Sequence, residues 1–345
     1  MHTYSLDIIT SKKEWDYLLS DVINYDFYHT YDYHSLAASE NETPILIHYK
    51  ENDKVIAIPF LLRKIFDTNY NDLTSVYGYS GPIYKNISQE FDQTNFTTLF
   101  NKYLIENNII SVFSRLNPFI PFQETIIKGI GEQTTLSKVV SIDLTKEIED
   151  QRMAFSKTTK RYINKGRKLC YIKKSNTKED LLIFKDLYFE NMQRVNAKDF
   201  YFFDEDYFLK FANSTDFETE ILFAVLKETD EIISAAMMVK CNKIIQYHIS
   251  GTRDKYLHLT PIRLLIDEMR LIGNSQNYTH FNLGGGLGST EDSLFNFKAS
   301  FSKNFKEFKI WKYVVNSKIY NKLNEEFSDT ENNTSFFPIY RNKIA

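Results

Sequence analysis

Three stretches of this 345-residue chain hold residue types that can do chemistry. Residues 151–178 carry Arg152, Lys157, Lys160, Arg161, Lys165, Arg167, Lys168, Lys173, Lys174 and Lys178 and no acid, although the formal net charge of the chain is -3. At helical spacing Lys157, Arg161, Lys165 and Lys168 share one face, a cationic stripe able to meet phosphates through charge-assisted hydrogen bonds. Arg161 and Arg167 are the candidates for two-point contact, because a guanidinium fork matches a pair of phosphate oxygens. A run of charge also serves simply as a solvated helix face. The binding reading therefore requires a phosphorylated partner: a nucleotide- or lipid-linked sugar, the acceptor end of a tRNA, or an anionic membrane surface.

The second stretch is Phe281-Asn282-Leu283-Gly284-Gly285-Gly286-Leu287-Gly288. Glycines that end a strand let the backbone approach a ligand and offer amide donors to a developing negative charge, which makes Gly284 and Gly285 binding candidates. A dinucleotide fingerprint is excluded, because the third glycine is missing at the required spacing and no ribose-binding acid follows. The third stretch, Tyr247-His248-Ile249-Ser250-Gly251, offers the hydroxyls of Tyr247 and Ser250. His248 falls on the opposite face of a strand from Tyr247 and is set aside.

The elements that must position these residues occur twice. A charged turn at residues 50–56 separates β-rich runs 45–49 and 55–61, and a matching turn at 227–233 separates runs 221–226 and 232–239. Each set reads as a β-hairpin. Tyr77-Gly78-Tyr79-Ser80-Gly81 then corresponds to Tyr247-His248-Ile249-Ser250-Gly251, and each is followed by a helix (91–107 and 261–272) and a strand (109–115 and 278–283). A strand at 138–144 and a cap at Thr145 put the junction near residues 141–150. This divides the chain into residues 1–145 and residues 146–345, the second half carrying the chemistry.

Composition agrees with a soluble globular protein, at 43% hydrophobic and 25% charged residues. The longest apolar stretch, 55–62, is broken by Pro59 and cannot span a bilayer. No secretory signal is visible at the start, so a cytoplasmic protein is expected. Cys170 and Cys241 stand in no metal-binding or disulfide pattern, so no metal is expected.

Tyr247-x-x-Ser250-Gly251, the following helix, Phe281-Asn282-Leu283-Gly284-Gly285 and Leu294-Phe295-Asn296-Phe297-Lys298-x-x-Phe301 together resemble the carboxy-terminal half of FemAB-like proteins of the GNAT superfamily. The resemblance covers about residues 150–313 in motifs and the whole chain in its duplication. It implies an α/β (α+β) fold of tandem GNAT-like domains, each a mixed, mostly antiparallel twisted sheet flanked by helices. It also implies an acyltransferase similar to the aminoacyltransferases that build peptidoglycan bridges from aminoacyl-tRNA, or to acyltransferases of polysaccharide synthesis. In this reading Lys298 stabilises the oxygen that turns negative when an amine attacks an ester or thioester carbonyl. Phe297 walls the pocket.

The donor implied is an acyl-CoA or an aminoacyl-tRNA. The stretch 252–261, where a GNAT enzyme has its glycine-rich pyrophosphate loop, contains no glycine, which leaves Arg253 and Lys255 as phosphate contacts there. The acceptor implied is an amine on a phosphorylated envelope precursor, with tRNA and the inner face of the membrane as partners and DNA excluded. The reading from another class is a non-catalytic module with a degenerate GNAT fold that binds RNA or an anionic surface.

Overall fold

The computed structural model describes residues 4–22, 24–327 and 336–344. Two compact units make up the chain: Met1–Leu136 together with Phe308–Ala345, and Ser137–Glu307.

In the first unit, β1 (Tyr4–Ile9), β2 (Glu42–Glu51), β3 (Lys54–Lys64), β4 (Asn71–Thr74) and β6 (Ile109–Arg115) lie side by side in that order, with β5 (Ile83–Lys85) pairing with β3. The charged turn closes the β2–β3 hairpin with Asn52 at a positive φ of 55°, a conformation asparagine tolerates. β4 and β6 are parallel and joined by the helix Thr94–Glu106, whose Phe96, Phe100 and Leu104 recur every four residues and are buried.

The second unit repeats this plan. Its sheet runs β7 (Glu132–Asp143), β12 (His280–Gly284), β11 (Ile244–Thr252), β10 (Ile232–Cys241), β9 (Glu218–Leu226), β8 (Cys170–Lys174). β9 and β10 form the hairpin, with Asp230 at a φ of 54° in the turn. β11 and β12 are the parallel pair, and the crossover helix Ile262–Ser275 buries Leu264, Leu265, Ile266 and Met269 against Ile245, Phe281 and Leu283. Each sheet is thus mixed and mostly antiparallel, as a crossover connection forces one parallel pair and hairpins force the rest.

The closing strands depart from the expected single cut at 145/146. β7 follows β6 in sequence but pairs antiparallel with β12 in the second unit. β13 (Asn304–Val314) follows the second unit's last helix but pairs antiparallel with β6 in the first. The division therefore falls after Leu136, and residues 308–345 return to the first unit. Apolar periodicity marks a strand without saying which edge it joins.

Two smaller expectations also change. Ser250-Gly251 lie inside β11, but β4 ends at Thr74, and Ser80 makes only an isolated parallel bridge with Leu116. The helix after the junction, Ile148–Met153, has Glu147 at its cap position, while the Thr145 hydroxyl donates to Asp143 instead.

Candidate active site

The parallel pair β11–β12 stays in register for three rungs, the last joining Gln246 and Asn282. Beyond that rung β11 continues against β10 and β12 against β7, so the two strands part at their carboxyl ends. Sheets with a parallel crossover take their ligands at such a parting. The last rung is fixed by side chains: the buried Asn282 donates from Nδ2 to Gln246 Oε1 (2.8 Å) and accepts the Gly284 amide on Oδ1 (2.9 Å). Neither Gln246 nor Asn282 was among the expected site residues. The Gly284 amide, expected as a free donor, is engaged by Asn282.

Tyr247 is the first β11 residue past this rung. Residues three apart on a regular strand face opposite ways, but a β-bulge at His248 breaks the register between Met237/Ile249 and Met238/Tyr247. This brings Tyr247 and Ser250 to one side, where their hydroxyls bond to each other. Burial pushes the Tyr247 phenol up to about 12. His248 stacks on Phe211 with ring centroids 4.8 Å apart, and burial lowers it to about 4, so it is neutral at pH 7.

On the β12 side the glycine loop is built around two residues. A side chain at Gly286 would place its Cβ 2.0 Å from the Thr290 carbonyl oxygen and 2.4 Å from Asp292 Oδ1, so only glycine fits. The Asp292 carboxylate accepts the amides of Leu287 (3.2 Å) and Phe295 (2.9 Å), tying the loop to the helix Ser293–Lys298. Lys298 ends that helix with 8% of its surface exposed and donates from Nζ to the Gly285 carbonyl at 2.7 Å. Among the described residues no carboxylate pairs with it. Burial lowers its pKa to about 8, with Asp292 pulling the other way. At pH 7 the ammonium is charged, and a lysine ammonium has three donors, of which the carbonyl takes one.

Arg263, unmarked in the sequence reading, stands next to this helix. Its guanidinium lies 4.7 Å from the Phe297 ring centroid and 5.8 Å from that of Phe301, and Nη1 donates to the hydroxyls of Thr159 and Ser300. Spacing hid it: Arg263 and Asp267 are four apart on one helix and would be expected to pair. Asp267 turns instead to Arg270, at 2.8 and 3.0 Å, and to Arg167.

The basic segment folds as the helix Lys157–Leu169, capped by Ser156, with Thr159, Ile163 and Gly166 buried. Its cations separate into two groups. Arg167 donates to Asp267 (2.8 Å) and Glu268 (3.2 Å), Lys173 pairs with Asp180 and Lys174 with Glu220. Arg167 is therefore committed to carboxylates rather than presented to a ligand. Lys157, Arg161, Lys165 and Lys168 are exposed and have no carboxylate partner among the described residues. Arg161 lies 5.3 Å from the Tyr162 ring, and Arg263 lies 6.0 Å from that same ring. The structure thus brings Lys298 to Gly285, sets Phe297 against Arg263, and pairs Tyr247 with Ser250. It links Arg161 to the Phe297 side through Tyr162 and Arg263, and leaves Arg167 apart.

A surface depression of about 440 Å³, lined by Asn176, Ala212, Asp216 and Thr219 among others, lies at the start of β9 and includes none of the expected site residues. Among the described residues no cluster of three or more His, Cys, Asp or Glu is placed to hold a metal, and no helix is long and apolar enough to cross a membrane.

No protein-family model matches the sequence, and no curated protein matches it significantly. Solved structures do match. FemX is 11% identical, with a TM-score of 0.71 over 92% of this chain and 99% of that one. A conserved protein of unknown function from Bacteroides thetaiotaomicron is 11% identical, with a TM-score of 0.57 over 90% and 100%. The C-terminal domain of a putative lysylphosphatidylglycerol synthetase from Agrobacterium fabrum is 13% identical, with a TM-score of 0.54 over 90% and 93%. With the repeated sheet plan, these matches show that the chain has the fold of FemX.

Proposed function

We propose that this chain is an N-acyltransferase or aminoacyltransferase that forms an amide on an amine of a cell-envelope precursor, of the peptidoglycan or polysaccharide kind. The observation that carries this reading is Lys298, a buried ammonium with no carboxylate partner among the described residues, held by the Gly285 carbonyl at the carboxyl ends of the parted strands. A permanently unpaired buried cation is unfavourable, and a negative charge that appears only during reaction relieves it.

The acceptor amine attacks the donor carbonyl, forming the C–N bond. As the carbonyl oxygen becomes negative, Lys298 donates to it. Collapse breaks the C–O bond of an aminoacyl ester or the C–S bond of a thioester, and the proton lost from nitrogen ends on the departing hydroxyl or thiol. Tyr247 and Ser250 line the parting with hydroxyls, Phe297 excludes water from one side, and the exposed Lys165 meets a phosphate of a nucleotide- or lipid-linked acceptor. The FemX-like fold supports the transferase class.

The test is to supply purified protein with acyl-CoA and with aminoacyl-tRNA, each against amino-sugar and peptide amines, and to follow product mass. Amide formation with one donor class is expected. Absence of transfer from both donors, together with absence of donor binding, overturns the proposal. Salt-sensitive RNA or vesicle binding without transfer would establish the binding-module reading in its place.

A further inference from the structure

Arg263 and Arg270 sit two turns apart on one face of the crossover helix, and each stacks on an aromatic ring, Phe297 at 4.7 Å and Phe155 at 5.3 Å. Their charges are treated differently. Arg270 is buried and satisfied, donating to Asp267 through Nε and Nη2 and to the Ile148 carbonyl and Gln151 through Nη1. Arg263 has no carboxylate among the described residues. Its Nη1 donates to the Thr159 and Ser300 hydroxyls, both neutral, and its buried Nε has no acceptor among the described residues. The hydroxyls cannot discharge it. Ser300 donates its own proton to the Phe297 carbonyl at 2.6 Å, so both hydroxyls act toward Arg263 only as acceptors of Nη1. A half-buried guanidinium with this environment is built to meet an anion that is not part of the chain.

The surroundings say which kind of anion. Tyr162 lies between Arg161 and Arg263, so cation, ring, cation, ring run in sequence from the exposed basic face of the helix Lys157–Leu169 to Phe297, the residue before Lys298. A single carboxylate needs one guanidinium. A ligand with several linked anionic groups uses the series.

We propose that Arg263 is the docking residue for a phosphate group of the acyl donor, next to the Phe297-Lys298 segment, with Arg161 taking a second phosphate further along. Assigning the phosphate to the donor rests on the transferase reading; the anion site does not.

The probe is inorganic pyrophosphate, titrated calorimetrically into the full chain. Saturable binding is expected, and Arg263→Gln should weaken it by about 10- to 100-fold, the range of one charged hydrogen-bonded contact. Arg167→Gln, whose guanidinium already has two carboxylates, should leave it unchanged. Absence of binding, or equal losses in both variants, overturns the site. Because Arg263 also joins two helices, a second measurement uses the unaltered chain: phenylglyoxal labelling read by mass spectrometry. Pyrophosphate should protect Arg263 and not Arg167; equal labelling of Arg263 with and without pyrophosphate overturns the proposal. Competition by coenzyme A identifies a thioester donor, and competition by a Cyt-Cyt-Ade trinucleotide identifies an RNA-borne ester. Failure of both to compete refutes the assignment to the donor. Pyrophosphate binding with neither acyl transfer nor competition by either donor fragment overturns the transferase reading and leaves the anion site, whereas transfer without pyrophosphate binding overturns the site alone.

Discussion

Lys298 holds a charge where charge is unfavourable, and this gives the role proposed for it a pH signature. Burial lowers its pKa to about 8. A lysine that stabilises an oxyanion must be protonated, so turnover should be level below pH 8 and fall as pH rises through it. A lysine acting as general base would give the opposite limb, with turnover rising through the same pH. A pH–rate profile separates the two. Lys298→Ala should lower turnover by about 100-fold or more, the effect of removing a transition-state donor worth about 2.7–4 kcal/mol, with little change in acceptor affinity. Lys298→Arg, whose guanidinium stays charged, should lose the fall near pH 8. At this scale the sequence was legible where a motif names the residue. The Phe297-Lys298 pair stood out in its segment, and the helix Ser293–Lys298 puts Lys298 against the glycine loop. Arg263 and the Asn282–Gln246 bond were not legible, because each depends on a partner brought close only by folding.

The basic helix shows what spacing reveals about an element and what it does not. Its cationic face and its buried Thr159, Ile163 and Gly166 follow from a period of 3.6. Which cations remain available depends on the neighbouring crossover helix, whose Asp267 and Glu268 capture Arg167. The two arginines should therefore fail differently. Arg161→Ala should weaken binding of a phosphorylated ligand and reduce the slope of affinity against salt by about one, since it removes one phosphate contact. Arg167→Ala should leave both unchanged and lower stability by roughly 1 kcal/mol, a small amount because this guanidinium is 41% exposed. Titrations at several salt concentrations and urea unfolding of both variants check this. Equal losses of affinity would return Arg167 to the binding surface.

At the scale of the whole chain the duplication was legible and the strand exchange was not. Hairpins, crossover helices and their order recur in sequence because each unit buries its own core, but the edge that a closing strand joins is a long-range choice without a local signal. Trp311 shows the consequence. It lies on β13, late in the sequence, yet it is fully buried in the first unit beside Phe60 and Phe100, with Nε1 donating to the Ile130 carbonyl at 2.6 Å. The segment beyond it adds Tyr340 and Arg341, which donate to the buried Asp72 on β4, where Arg63 also binds. A chain ended after Glu307 would expose β6 as an edge strand with apolar residues on both faces, leave Asp72 with one arginine, and remove Trp311 from the core. Such a chain should lose the cooperative unfolding of its first unit. Trp311→Ala in the full chain should destabilise that unit by about 3–5 kcal/mol. Urea unfolding read by circular dichroism and limited proteolysis checks both. A first unit that keeps its protease resistance without residues 308–345 would show that β13 decorates the sheet rather than completing it.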